Sequence, residues 1–215
     1  GTVRVVPHGF GRSYEAENYL MAHIKRPDRV DTNTLVVICS DSRVEPPPTP
    51  RGLVMAIQSL GGYVPPFSGE PDETSLLNEY LASWLSVSPE EKHIVVVAHG
   101  NFEGEGPSCG AGSASMRPDE VTGSVLKPLM EELDRSAKRF ESKPPSTPEE
   151  RVKSIAAATK SNLLTYPAVQ SALSAGVSSD ALIEIVLMDT VSNVIQTQES
   201  PISQDSDSLK DLSGV

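Results

Sequence analysis

The chain has 215 residues, with 18 lysines and arginines against 29 aspartates and glutamates, which gives a formal net charge of −11. A single domain of roughly this length buries about 70% of its unfolded surface, so it needs no disulfide framework. The acidic balance argues against nucleic acid as a partner, because nucleic-acid binding depends on cationic side chains. No apolar run approaches the roughly 18 residues of a membrane-spanning helix, so we expect no membrane span.

The composition along the chain indicates one folded domain followed by a tail. We expect a single domain over residues 1–198, and an acidic tail rich in Ser and Asp over residues 199–215, where apolar content is too low for a packed core. The first ten residues lack the apolar centre of a secretory signal, so we expect a cytoplasmic protein.

The first predicted element is a helical arm over residues 12–25, where apolar residues recur at helical spacing before Pro27. Four later runs are short, apolar and rich in β-branched residues, which is typical of strands covered on both faces in a parallel sheet. These predicted strands are residues 34–39, 52–57, 93–98 and 182–188.

Three segments between or after these strands predict helices. Residues 74–85 place their apolar side chains on one helical face. Residues 117–140 and 148–164 predict two more helices, with a kink or break near Pro128. Because strands alternate with helices, the predicted fold class is α/β, with a central, mostly parallel β-sheet flanked by helices.

The residues with metal-binding chemistry follow two of the predicted strands. Cys39 ends the first strand, and His99 comes directly after the third. Ligands bind outside the carboxyl ends of parallel strands, so both residues are expected at the same sheet edge. With Cys109 they supply two thiolates and an imidazole, three of the four ligands of a catalytic zinc site. The residues alone also allow a Cys39–Cys109 disulfide, or buried thiols and a loop histidine without a metal.

Asp41 and Arg43 lie beside the first of these cysteines. A carboxylate two residues from Cys39 could itself bind a metal, unless a guanidinium holds it in a bidentate ion pair. Arg43 is suitably placed in the sequence to hold Asp41 in this way.

The segment Cys39-Ser-Asp-Ser-Arg43 resembles the Cys-x-Asp-Ser-Arg signature of the β-class carbonic anhydrases, zinc enzymes that interconvert carbon dioxide and bicarbonate. Residues 93–99 and 162–167 are also similar to that family, and the resemblance extends over residues 33–195. It implies a β-carbonic-anhydrase-like fold, a Zn²⁺ ion held by Cys39, His99 and Cys109, and a homodimer or higher even oligomer with the helical arm lying on the partner.

Two segments depart from the family pattern. Nine residues, 100–108, separate His99 from Cys109, where the family usually has two. We expect this segment to leave the sheet edge and return as a compact excursion that narrows access to the site, with Glu103 and Glu105 as solvated charges. Residues 58–62 read Gln-Ser-Leu-Gly-Gly where the family commonly has Arg-Asn-Ala-Gly-Asn, so the pocket wall is expected to differ.

The activity implied by the resemblance is reversible hydration of carbon dioxide to bicarbonate through zinc-bound hydroxide. Asp41 would accept a hydrogen bond from that hydroxide, and Arg43 would keep Asp41 ionised and off the metal. A small apolar cleft near Val44, Leu60 and Tyr63 is expected to hold the substrate. Two alternatives remain: a zinc hydrolase of the same fold acting on carbonyl sulfide or carbon disulfide, and a zinc-binding dimeric module with little or no turnover.

Overall fold

The computed structural model describes residues 3–5, 33–46, 53–102 and 106–196, with residues 3–5, 53 and 54 described by their backbone alone. The predicted helical arm and the acidic tail lie outside the described residues, as do Glu103 and Glu105. The domain bounds 1–198 therefore stay a prediction.

The central feature is a six-stranded sheet. Four strands are parallel and occupy its middle, and a short antiparallel strand pairs with each outer one. All four predicted strands are confirmed close to their predicted positions. In spatial order the strands are β1 (Val3–Val5), β3 (Leu53–Ser59), β2 (Thr34–Cys39), β4 (His93–Gly100), β5 (Ile183–Asp189) and β6 (Ile195–Gln196).

The register of the two central strands brings their carboxyl ends together. Every side chain of β2 is buried, as is every side chain of β4 after the first, as expected for strands covered on both faces. Val37 pairs with Val96. Cys39 lies two residues beyond Val37, and His99 lies three beyond Val96, so both reach the same edge of the sheet.

Six helices flank this sheet in the described part of the chain. Three of them begin at side chains that bond the free backbone amides of the first turn, and two of these caps are oxygen acceptors. Asp72 accepts from the amide of Thr74 at 2.8 Å, and Thr147 accepts from the amide of Glu150 at 3.2 Å. The helices are α1 (Glu73–Leu85), α2 (Gly110–Ser115), α3 (Leu126–Lys138), α4 (Pro148–Leu163), α5 (Pro167–Ser174) and α6 (Ser179–Leu182).

The helix predicted over residues 117–140 is wrong in its first part. A 3-10 turn at Pro118–Glu120 and an irregular segment precede α3, and Gly123 there has φ of 112°, a conformation that interrupts a helix. Pro128 is the third residue of α3, where no intrahelical hydrogen bond is lost, so the predicted break falls just before it. None of the described helices has both the length and the apolar character needed to cross a membrane.

The buried hydrophobic residues form two clusters, and the residues predicted to line the substrate pocket are divided between them. Val44 belongs to the main cluster, which covers the sheet, whereas Tyr63 belongs to a second cluster with Leu60 packed against it. These three residues therefore belong to two core clusters, and the small cleft near them stays a prediction. Gly61 matches the family glycine and has φ of 67°, and a Cβ there would lie 3.1 Å from Leu133 Cδ2.

Candidate metal centre

Three predicted ligand residues meet at the carboxyl edge of the sheet. Cys39 ends β2, His99 is the penultimate residue of β4, and Cys109 immediately precedes α2; all three are buried. Their ligand atoms all lie within 4.8 Å of one another. The two sulfur atoms are 4.0 Å apart and both thiols are free. Two sulfurs on one tetrahedral zinc, with Zn–S bonds of about 2.3 Å, would be about 3.8 Å apart, so this spacing suits a metal.

Cys109 reaches this edge because α2 packs closely on α4. The sulfur of Cys109 accepts a hydrogen bond from the amide of Gly112 at 3.4 Å, and so caps the helix. A Cβ on Gly112 would lie 2.5 Å from Val152 Cγ1, so the close approach requires glycine. The small residues of α2 therefore set the position of the second thiol.

The imidazole of His99 has one nitrogen occupied and one available. Nδ1 lies 3.0 Å from the hydroxyl of Thr190, and both residues are buried. Nε2 is buried with no hydrogen-bond partner among the described residues. An unsatisfied buried nitrogen is costly, whereas a histidine that bonds its second nitrogen to a neighbour is the usual form of a metal ligand. The donor set therefore fits a metal ion.

The two thiols have opposite pKa shifts. The hydrogen bond with Cys109, helped by His99 and opposed by burial, lowers the pKa of Cys39 to about 4. The pKa of Cys109 is raised, first by its hydrogen bond to Cys39 and then by burial. The pair by itself thus favours a single negative charge, held between the two sulfurs by their hydrogen bond. A cation between the sulfurs would favour the second thiolate, because metal binding releases protons from its ligands.

Asp41 and Arg43 form the bidentate pair that the sequence predicts. Arg43 Nε donates to Asp41 Oδ1 at 2.9 Å, and Nη2 donates to Oδ2 at 2.5 Å. The hydrogen bond from the Arg43 side chain is the main cause that lowers the pKa of Asp41 to about 2. Asp41 is therefore an ionised acceptor over the neutral pH range, with both oxygens held by the guanidinium.

Two residues that sequence reasoning missed support this region. Thr190, which orients His99, also donates its amide to the carbonyl of Gly100 at 3.0 Å. Asn193 donates its side-chain amide to the carbonyl of Arg43 at 3.3 Å and accepts from the amide of Glu45 at 3.2 Å. Thr190 lies two residues after the predicted strand over residues 182–188, and this position near the ligand edge was the available signal.

The two described limbs of the segment between His99 and Cys109 contact each other. Its described residues, 101, 102 and 106–108, are not helical. The side-chain amide of Asn101 donates to the carbonyl of Gly106 at 3.2 Å, which links the two limbs. The carbonyl of Ser108 accepts from Arg43 Nη2 at 3.1 Å, so the segment contacts the Asp41–Arg43 pair.

The fold and the site together define a class of protein: α/β domains whose parallel sheet carries two cysteines and a histidine at its carboxyl edge. No family profile matches the chain, and no curated protein matches it in sequence. Similar solved structures are β-carbonic anhydrases. The β-carbonic anhydrase CcaA is 20% identical with a TM-score of 0.54, and the match covers 86% of this chain and 83% of that chain.

Two further solved structures give the same result. A Coccomyxa β-carbonic anhydrase is 18% identical with a TM-score of 0.54, covering 84% of this chain and 80% of that chain. One of the tetrameric β-carbonic anhydrases from Sordaria macrospora is 22% identical with a TM-score of 0.53, covering 87% of this chain and 90% of that chain. The chain thus resembles the β-carbonic anhydrases, and its fold is theirs.

Proposed function

We propose that this protein is a zinc-dependent carbonic anhydrase of the β class, which hydrates carbon dioxide reversibly to bicarbonate. The observation that carries the proposal is the cluster of Cys39, His99 and Cys109 at the sheet edge, within 4.8 Å, beside an ion pair of Asp41 and Arg43. The shared fold supports it.

In this proposal Cys39, His99 and Cys109 hold the zinc ion. The sulfurs and Nε2 of His99 are the donors, and Thr190 keeps the imidazole in the orientation that leaves Nε2 available. A zinc ion held there supplies the Lewis acidity that makes water a nucleophile at neutral pH.

Asp41 orients the attacking water. Its carboxylate is ionised. Oδ1 already accepts from the backbone amide and from Nε of Arg43, whereas Oδ2 accepts from Nη2 and retains a further lone pair that can accept a hydrogen bond from the water. By holding this carboxylate in a bidentate pair, Arg43 would keep Asp41 from binding a metal ion held by the three ligands. The side chain of Arg43 is 41% exposed and that of Asp41 is 13% exposed, so a small neutral substrate can reach the pair from solvent.

The proposal includes a homodimer or a higher even oligomer. The Sordaria macrospora enzymes are tetrameric. Val125, Leu126 and Leu129, at one end of α3, are exposed apolar residues that an interface would cover. Light scattering should give a mass well above the 23.0 kDa of one chain, and a monomer at micromolar concentration would refute the oligomer. Cytoplasmic localisation also stays a prediction.

The test of function compares substrates on the zinc-loaded protein. Stopped-flow rates of carbon dioxide hydration are measured beside sulfide release from carbonyl sulfide and carbon disulfide, with metal-stripped protein as the control. Zinc-dependent hydration supports the proposal. Sulfide release without hydration would assign the alternative hydrolase activity, and bound zinc with no turnover would indicate a binding module.

A further inference from the structure

Glu149, the second residue of α4, contacts both limbs of the segment that joins His99 to Cys109. Its Oε1 accepts a hydrogen bond from the amide of Asn101 at 3.0 Å and another from the hydroxyl of Ser108 at 2.6 Å. Asn101 lies two residues after His99, and Ser108 lies immediately before Cys109. One carboxylate oxygen therefore links the neighbours of two candidate metal ligands.

The side chain of Glu149 also lies against the end of β4. A Cβ on Gly100 would lie 3.2 Å from Glu149 Cγ and 3.3 Å from Oε1, so the absence of a side chain at Gly100 permits this contact. The helix that carries Glu149 is itself fixed, by the Thr147 cap and by the close packing of Val152 on Gly112. Glu149 is thus an anchor outside the segment that it holds.

The contacts continue from Ser108 to the ion pair. Ser108 presents its hydroxyl to Glu149 and its carbonyl to Arg43 Nη2, at 3.1 Å. The same Nη2 donates to Asp41 Oδ2. Because Arg43 is partly exposed, the carbonyl of Ser108 restricts a guanidinium that solvent would otherwise leave freer to move.

We propose that Glu149 is a positioning residue of this site: by holding Asn101 and Ser108, it fixes the carbonyl that orients Arg43, and through Arg43 it fixes the carboxylate of Asp41. The kinetic part of this inference rests on the proposed function. The geometric part, the orientation of Arg43, stands independently of which substrate the site accepts.

The test uses three variants of the full zinc-loaded chain. Glu149→Ala removes the acceptor, Glu149→Gln keeps an oxygen acceptor of the same length, and Glu150→Ala is the matched control. Glu150 is the next residue of the same helical turn, but its carboxylate bonds the amide and hydroxyl of Ser146. The readouts are zinc content, the nitrogen–proton resonance of Arg43 Nε, and kcat and KM for carbon dioxide.

We expect Glu149→Ala to retain zinc, to shift the Arg43 resonance towards that of a free arginine, and to lower kcat about 10-fold with little change in KM. Glu149→Gln should restore the resonance and bring kcat to within about threefold of the original, and Glu150→Ala should change neither. A merely structural role would lower thermal stability without moving the resonance of a folded, zinc-loaded variant.

An unchanged Arg43 resonance in zinc-loaded Glu149→Ala would overturn the proposal. If that variant does not fold, Ser108→Ala removes the hydroxyl but keeps the carbonyl, and it should shift the resonance in the same direction; no shift there would also overturn it. If the unmodified protein does not hydrate carbon dioxide, the proposed function fails, and the resonances still decide the role of Glu149.

Discussion

The two halves of the candidate site are assembled in different ways. Cys39, Asp41 and Arg43 lie within five residues, and their contacts are local: the backbone amide and the side chain of Arg43 both donate to the same carboxylate. His99 and Cys109 are separated by nine residues, and the contacts that orient this half come from elsewhere in the chain, from Thr190 after β5 and from Gly112 in α2.

This difference shows which part of a site a short signature specifies. Asp41 and Arg43 are neighbours in one turn, so the five residues are sufficient to predict that they pair, while the distant carbonyl of Ser108 also holds the guanidinium. The ring orientation of His99 and the position of Cys109 depend on packing between distant elements. Variants that act on one half and leave the other intact therefore test whether the two are separable.

The largest effect is expected for Cys39→Ser, which removes the proposed metal ligand of the first half. Outer contacts of a metal ligand alone contribute about 10- to 100-fold in affinity, so loss of the ligand should weaken zinc binding by more than about 100-fold. Metal analysis of the purified variant measures this. Ser40→Ala, at the exposed next position, is the control and should stay loaded. A Cys39→Ser protein with full zinc content would refute the ligand assignment.

Arg43→Ala should break the first half alone. Without the bidentate pair, the carboxylate of Asp41 is free to move and to compete for the open metal position, so we expect carbon dioxide hydration to fall about 100-fold while zinc content stays unchanged. Arg43→Lys should recover little, because an ammonium group cannot form the paired contacts. Hydration at the original rate in Arg43→Ala would show that the pair has no catalytic role.

Thr190→Val should weaken zinc binding through the second half, with a smaller effect than either of the variants above. The substitution keeps the shape of the side chain but removes the hydroxyl that bonds His99 Nδ1, so zinc affinity should fall by about 10-fold. Competition with a chelator measures that affinity. The Arg43 Nε resonance serves as the internal control for the first half, and its displacement in Thr190→Val would contradict the separation of the two halves.

The elements that the sequence predicted are those whose apolar pattern extends over several residues, and the elements that it missed have no such pattern. The apolar runs of β2 to β5 and the one-sided pattern of α1 are repeated over many residues, and these elements were predicted. Helix α2 consists of Gly, Ala and Ser, which gives no apolar periodicity, and β6 has two residues. The break before α3 depends on Gly123, whose conformation no short pattern indicates.

For the site, the sequence placed Cys39 and His99 at one edge because strand ends converge there, added Cys109 for its thiol and by the family resemblance, and paired Asp41 with Arg43. It did not find Thr190 or Asn193, because their partners are distant in the sequence. Thr190 contacts His99, 91 positions away, and Asn193 contacts Arg43, 150 positions away. It also grouped Val44 with Leu60 and Tyr63, which the structure divides between two clusters, because proximity in sequence does not determine which core cluster a residue joins.

X-ray absorption at the zinc edge of the purified protein tests the central claim most directly. Three ligands from Cys39, His99 and Cys109 predict two sulfur atoms at about 2.3 Å, one imidazole nitrogen at about 2.0–2.1 Å and one further light atom. A shell made only of oxygen and nitrogen, or one with a single sulfur, would contradict the proposed metal centre.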